Sequence, residues 1–170
     1  MTYAPWLAHH AHCPVAIIHD DSPSEVDHAQ APVLVGIDGS PASEAAIEIA
    51  FAEASRRNVG LVALHAWSDV NVFDSAFDFG GAPWPELKAK EDEVLAERLA
   101  GWTERYPDVP VRRVVVRSEP ARELVDLSKA AQLVAVGSHG RGGFVGMLLG
   151  SISAAVVLLT RVPVIVARSR

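Results

Sequence analysis

Apolar residues in this chain gather into short continuous runs instead of strict alternation. VLVGID (33–38), LVALHA (61–66) and LVAVG (133–137) are rich in β-branched and aliphatic residues and lie next to glycine or polar turns. That is the pattern of strands covered on both faces of a parallel sheet. VRRVVVR (111–117) alternates and reads as a strand with one more exposed face, and VPVIVA, opened by Pro163, reads as the last strand. Between the runs the period becomes helical. Ser40 stands as an N-cap with Pro41 at the first helical position, and Ala42, Ala45, Ala46, Ile49 and Ala50 carry a helix to about Arg57, ended by Asn58 and Gly60. From Glu86 to Tyr106, Leu87, Val94, Leu95, Leu99 and Trp102 keep helical spacing through a charged background. Pro120 opens a helix through Leu124, Val125 and Leu127, and a last helix runs from Ser151 to about Thr160. Residues 67–85, with Asp69, Asn71, Asp74, Gly80, Gly81, Pro83 and Pro85, read as a long loop.

Strand and helix therefore alternate, beginning with a right-handed βαβ unit. The expected class is α/β: an open five-stranded parallel sheet with helices on both faces, Rossmann-like.

Composition narrows the function. A chain of 170 residues suits one doubly wound domain, and 49% hydrophobic with 21% charged residues is ordinary globular usage. A formal charge of −6 and the lack of any Lys/Arg cluster argue against a nucleic-acid partner. The lone Cys13 cannot close an internal disulfide, and no basic residue precedes an apolar run at the start, so a cytoplasmic location is expected. No charge lies between Arg141 and Arg161, but Gly146, Gly150, Ser151 and Ser153 interrupt that window, which reads as loop and helix and not as a membrane span.

The candidate chemistry lies in GSHGRGGFVGMLLGS, residues 137–151. Gly137, Gly140 and Gly150 followed by Ser151 sit between a strand and a helix. Phosphate binding needs backbone N–H groups without an intervening Cβ and a helix N-terminus behind them. Gly137 and Gly140 would give the close approach, and Ser151 would cap the helix and offer its hydroxyl.

VLVGIDGS with Ser43, Glu44 and Ala46, LHA at the end of the second strand, and the run from Val136 to Ser151 resemble the universal stress protein family, in its ATP-binding subclass, over about residues 32–168. The resemblance implies a sheet like that of the adenine nucleotide α-hydrolases and a site for ATP with Mg²⁺. It implies that Asp38 lies near adenine and ribose, that Ala66 presents backbone to adenine, and that Gly137, Gly140, Gly150 and Ser151 hold ribose and phosphates, with Ile152 and Ser153 completing the shell. Asp38 could also hold the metal, or could merely cap the Ser40 turn. His139 and Arg141 are candidate phosphate partners, against a structural hydrogen bond for the first and a solvated side chain for the second. His65 reads as a satisfied core histidine. The chain departs from the family where Ser118, Glu119 and Pro120 replace a turn that usually begins with glycine.

Three functions follow: a regulatory ATP binder, a slow ATP hydrolase, or a nucleotide-independent dimerisation scaffold. The intact glycines favour the first. The second lacks a Gly-rich loop ending in Lys-Ser or Lys-Thr, a His-x-Gly-His pattern, or a base beside a nucleophile. His9, His10, His12, Cys13 and His19 are metal-binding residue types, but no fixed spacing joins them into a closed site.

Residues 7–20 (LAHHAHCPVAIIHD) align with 156–169 (VVLLTRVPVIVARS), Pro14 falling on Pro163. Residues 1–31 are accordingly expected to be a tail and linker carrying the remnant of a preceding domain's terminal strand, with 32–170 as the nucleotide-binding domain, as in the second half of a tandem protein. Segment 13–18 is expected to pair with 163–167, in the same chain or in a dimer mate. The expected partners are an adenine nucleotide and a second copy or tandem domain joined through the C-terminal strand, with neither nucleic acid nor membrane.

Overall fold

The computed structural model describes residues 11, 13–19, 29–67, 83–140 and 149–168. Their elements follow in the order β1 (Val15–Ile17), β2 (Val33–Gly36), α1 (Pro41–Arg57), β3 (Leu61–Trp67), α2 (Trp84–Arg105), β4 (Val111–Arg117), α3 (Pro120–Ser128), β5 (Leu133–Gly137), α4 (Ser151–Leu159) and β6 (Val164–Ala167). The sheet has six strands in the order β1-β6-β5-β2-β3-β4. Five are parallel, as expected, and the sixth, β1, lies antiparallel on β6 with Val15 opposite Val166 and Ile17 opposite Val164. The five parallel strands are those expected, and β1 makes the sixth through the expected pairing of segment 13–18 with 163–167, here within one chain. A strand beside β6 fills the backbone groups of its outer edge, so a second chain pairing at β6 would have to displace β1.

Each central strand sends alternate side chains to opposite faces. Val33, Val35, Leu61, Ala63, Leu133 and Ala135 meet Ile47, Ala50 and Phe51 of α1 and Leu95 and Leu99 of α2. Leu34, Val62, Leu64, Val134, Val136, Val164 and Val166 meet Leu124 of α3 and Val156 and Val157 of α4. Both faces are covered, which is why the strand sequences read as continuous apolar runs. Ile17 joins the second cluster at 5% exposure, so β1 is held by side-chain burial as well as by its ladder.

Helix ends are closed by local chemistry. Asn58 takes a left-handed conformation, φ 56°, and caps α1 through its N–H to Ala54 and Ser55. The turn at Ser118–Pro120 is capped by the Glu119 side chain, which accepts from Ala121 N (3.2 Å) and Arg122 N (2.8 Å), with Pro120 at the first helical position. A carboxylate against the positive end of α3 does the work that a glycine turn leaves to solvent. Among the described residues, no helix is long and apolar enough to cross a membrane.

The chain steps from β2 outward to β4 and then returns to place β5 on the other side of β2. The order reverses between β2 and β5, and in open α/β sheets the crevice at the carboxyl ends of such a pair is where ligands bind.

Candidate functional site

Two turns meet at that crevice. The first leaves β2: Ile37 N donates to Leu64 O (2.9 Å), and Asp38 Oδ1 then accepts from Ser40 N (2.9 Å) and turns the chain into α1. The strand therefore ends at Gly36 and not at Asp38. Ser40 caps α1 by accepting from Ser43 N (3.2 Å), and its hydroxyl donates to His139 O (3.1 Å) on the second turn. One buried hydroxyl thus joins the two turns. Ser40→Ala is expected to lower unfolding stability by about 1–2 kcal/mol, the cost of a lost cap plus a partly buried carbonyl left without its donor; urea denaturation gives the value, and an unchanged midpoint would refute the bridge.

The second turn leaves β5. Gly150 N donates to Ser138 O (2.7 Å) and Ser138 N to Ala167 O (2.7 Å), so the two ends of the Gly-rich segment close on each other beside β6. At Gly137 a Cβ would stand 2.7 Å from the Ala42 carbonyl carbon and 2.8 Å from Ser43 N, so the first turn of α1 needs the bare backbone there. At Gly140 a Cβ would stand 2.7 Å from Asp38 Oδ2, whereas at Gly150 the nearest atom, Ser138 O, is 3.4 Å away.

Between the turns lies a cleft enclosing about 70 Å³. Leu64, Leu124, Val136 and Ile152 give it an apolar wall, and Asp38 and His139 give it polar groups. Of the sequence candidates, Asp38, Ala66, Gly137, His139, Gly140, Ile152 and Ser153 line it. Gly150 and Ser151 stand at the start of α4 and are not part of its lining. Arg141 lies outside the described residues. The expected N-cap role of Ser151 is corrected: Gly150 is the N-cap and Ser151 the first helical residue, with no side chain capping α4. Gly150 has no side chain to offer the helix's first-turn N–H groups. The Ser153 hydroxyl donates to Gly137 O. Sequence reading missed Gly36, Leu64, Leu124 and Pro120 at the cleft. The Ser-Glu-Pro departure was the one local signal, because it starts α3 at the cleft's wall.

His139 Nδ1 lies 3.0 Å from the Ser138 hydroxyl. Burial, with the Arg168 cation as a second cause, holds its pKa below the ordinary imidazole value, so the ring is uncharged at neutral pH. His65 Nδ1 meets Ile37 O at 2.8 Å, a satisfied histidine as expected. Among the described residues no three His, Cys, Asp or Glu side chains gather to hold a metal; Cys13 is exposed, and His9, His10 and His12 lie outside the described residues.

The sequence profile of the Universal stress protein family matches residues 31–168. The chain belongs to the universal stress protein family. It is 61% identical to universal stress protein Rv2623 of Mycobacterium tuberculosis over 162 residues, 95% of this chain and 53% of that protein. It is 60% identical to Rv2005c of the same organism over 162 residues, covering 95% and 54%. The chain thus spans about half the length of these relatives. Among solved structures, UspA from Lactobacillus plantarum superposes with a TM-score of 0.69 at 22% identity, over 82% of this chain and 98% of that one. The universal stress protein of Archaeoglobus fulgidus in complex with dAMP gives 0.57 at 20% identity, covering 81% and 97%. A universal stress protein in complex with cAMP gives 0.56 at 24% identity, covering 83% and 99%. At these identities the superpositions establish a shared fold.

Proposed function

We propose that this universal stress protein domain is a regulatory ATP binder, taking the nucleotide with Mg²⁺ in the cleft between the β2 and β5 turns. The observation that carries the reading is the convergence of Asp38, the Gly137–Gly140 backbone and the first turn of α4 at the point where strand order reverses. In this reading the base lies against the apolar wall and the backbone of Ala66, and Asp38 meets the ribose or the metal. Gly137, His139, Gly140, Arg141, Gly150, Ser151, Ile152 and Ser153 surround the ribose and phosphates. Two relatives of the same fold are described with dAMP and with cAMP, which supports an adenine nucleotide as the ligand class. Residues 32–170 form the binding domain, and β1 within residues 1–31 takes the edge position of another domain's terminal strand. The domain acts in the cytoplasm, and its nucleotide state alters a surface read by a second copy, a tandem domain or another protein.

The test is calorimetric titration with ATP and Mg²⁺. Asp38→Ala is expected to weaken binding by about 1–3 kcal/mol, the scale of a lost hydrogen bond to a charged group. Turnover is expected to stay slow in both proteins. A wild-type rate above about 1 per second that Asp38→Ala abolishes would replace the binder with an enzyme.

A further inference from the structure

On the far side of the Asp38 turn from the nucleotide cleft, Ile37, Gly39, His65, Glu91, Val94, Leu95 and Arg98 line a second, smaller hollow. His65 reaches across it. Its Nδ1 lies 2.8 Å from Ile37 O, and its Nε2 lies 3.4 Å from Glu91 Oε2 on α2. A carbonyl oxygen only accepts, so Nδ1 carries a proton, and a neutral ring then turns an unprotonated Nε2 toward a carboxylate. That pairing is repulsive. A second proton on the ring converts it into an ion pair, which ties α2 to the residue preceding Asp38.

We propose that His65 is a positioning residue of the nucleotide cleft, a proton-dependent brace that runs from Glu91 through the imidazole to the Ile37–Gly39 turn. Ile37 is already held through its N–H to Leu64 O, so a bond at its carbonyl fixes both peptide groups leading into Asp38. The surrounding charges leave Glu91 as the anion nearest the ring. Arg98 is taken by Glu44 at 2.9 Å, and on β4 Arg113 is taken by Asp92 at 3.1 Å. Arg117 lies over Trp67, and Val115, directly opposite His65, is apolar. On the turn itself, Asp38 is bonded through Oδ1 to Ser40 N. The consequence is an adenine site that tightens when the His65 ring takes up its second proton.

This inference rests on the nucleotide reading for its effect on affinity, and on the described contacts alone for the brace. The experiment therefore follows two signals in the full chain from about pH 5.5 to pH 8. The first is the amide shifts of Asp38 and Gly39 by NMR without ligand. The second is the affinity for adenosine, a probe with no ionising group in that range. The amides are expected to titrate together with the His65 ring, and adenosine affinity to fall roughly threefold to tenfold toward pH 8. Glu91→Gln, a change at the helix surface, removes both effects. His65→Asn keeps a donor for Ile37 O and gives a folded protein whose affinity does not follow this titration. Any dependence from His139 persists in both variants and is separated by difference. Amides that do not move with the ring, or a pH profile unchanged in Glu91→Gln, overturn the brace. Failure of adenosine to bind at any pH overturns the nucleotide assignment instead, while the amide titration still decides the brace.

Discussion

Replacing Gly140 by alanine is expected to weaken ATP binding by about a hundredfold or more while leaving the domain folded. The added Cβ would stand 2.7 Å from Asp38 Oδ2, closer than any real contact of that kind. The obstructing atom is the free end of a side chain, so Asp38 can swing away and the backbone need not move. Swinging away removes the carboxylate from the ligand, at about 1.5–3 kcal/mol for a charged hydrogen bond, and the methyl group occupies the cleft it leaves. The two effects together reach about 3 kcal/mol, or roughly a hundredfold. Gly150→Ala provides the contrast, because its Cβ would meet Ser138 O at an ordinary 3.4 Å. Calorimetry with ATP and Mg²⁺ beside a thermal melt separates affinity from stability. Wild-type affinity in a folded Gly140→Ala protein would show that the ligand does not pass between Asp38 and this turn.

Gly137→Ala is expected to do the opposite, lowering stability by about 3 kcal/mol, near the upper end for overpacking. Its Cβ would press on Ala42 C, Ser43 N and Ala42 Cβ, all within 2.9 Å, and two of these are backbone atoms of the first turn of α1. No side-chain rotation relieves that contact. Either α1 shifts from β5 or the Ser40 cap opens, and both disturb Val33, Val35 and Ala135 beneath the helix. The midpoint of urea unfolding reports the loss, and a change below about 0.5 kcal/mol would mean that α1 moves at little cost. Two glycines of one motif thus have different duties: Gly137 admits a helix, and Gly140 leaves space for a carboxylate.

That division was not legible in the sequence, where both glycines read as openings for phosphate. What a Cβ would strike is decided by Ala42 and Ser43 of α1 for Gly137 and by Asp38 on the turn before it for Gly140, about a hundred residues earlier in the chain. Other features were legible because their causes are local. The runs at 33–35, 61–64 and 133–136 are buried on both faces, and their composition says so. The caps at Ser40 and Asn58 are local: the Ser40 hydroxyl bonds Ser43 N, and the left-handed Asn58 bonds Ala54 and Ser55 through its own N–H. Even β1 could be read, since its Pro-Val-Ala-Ile repeats the Pro-Val-Ile-Val of β6, although only the fold shows the antiparallel register inside one chain. The apolar wall was missed because Leu64, Leu124, Val136 and Ile152 each read as ordinary core positions and meet only through sheet order. His65 was read as satisfied, but its second partner, Glu91, sits on a charged helix face with no local mark of the contact.

The central claim is that this cleft holds an adenine nucleotide. Mass spectrometry of small molecules released by denaturing freshly purified protein tests it most directly. ATP or another adenine nucleotide is expected from the wild-type chain, approaching one per chain, and strongly depleted from Gly140→Ala prepared in parallel. A wild-type preparation that releases no adenine nucleotide, and that takes up none on incubation with ATP and Mg²⁺, would contradict it.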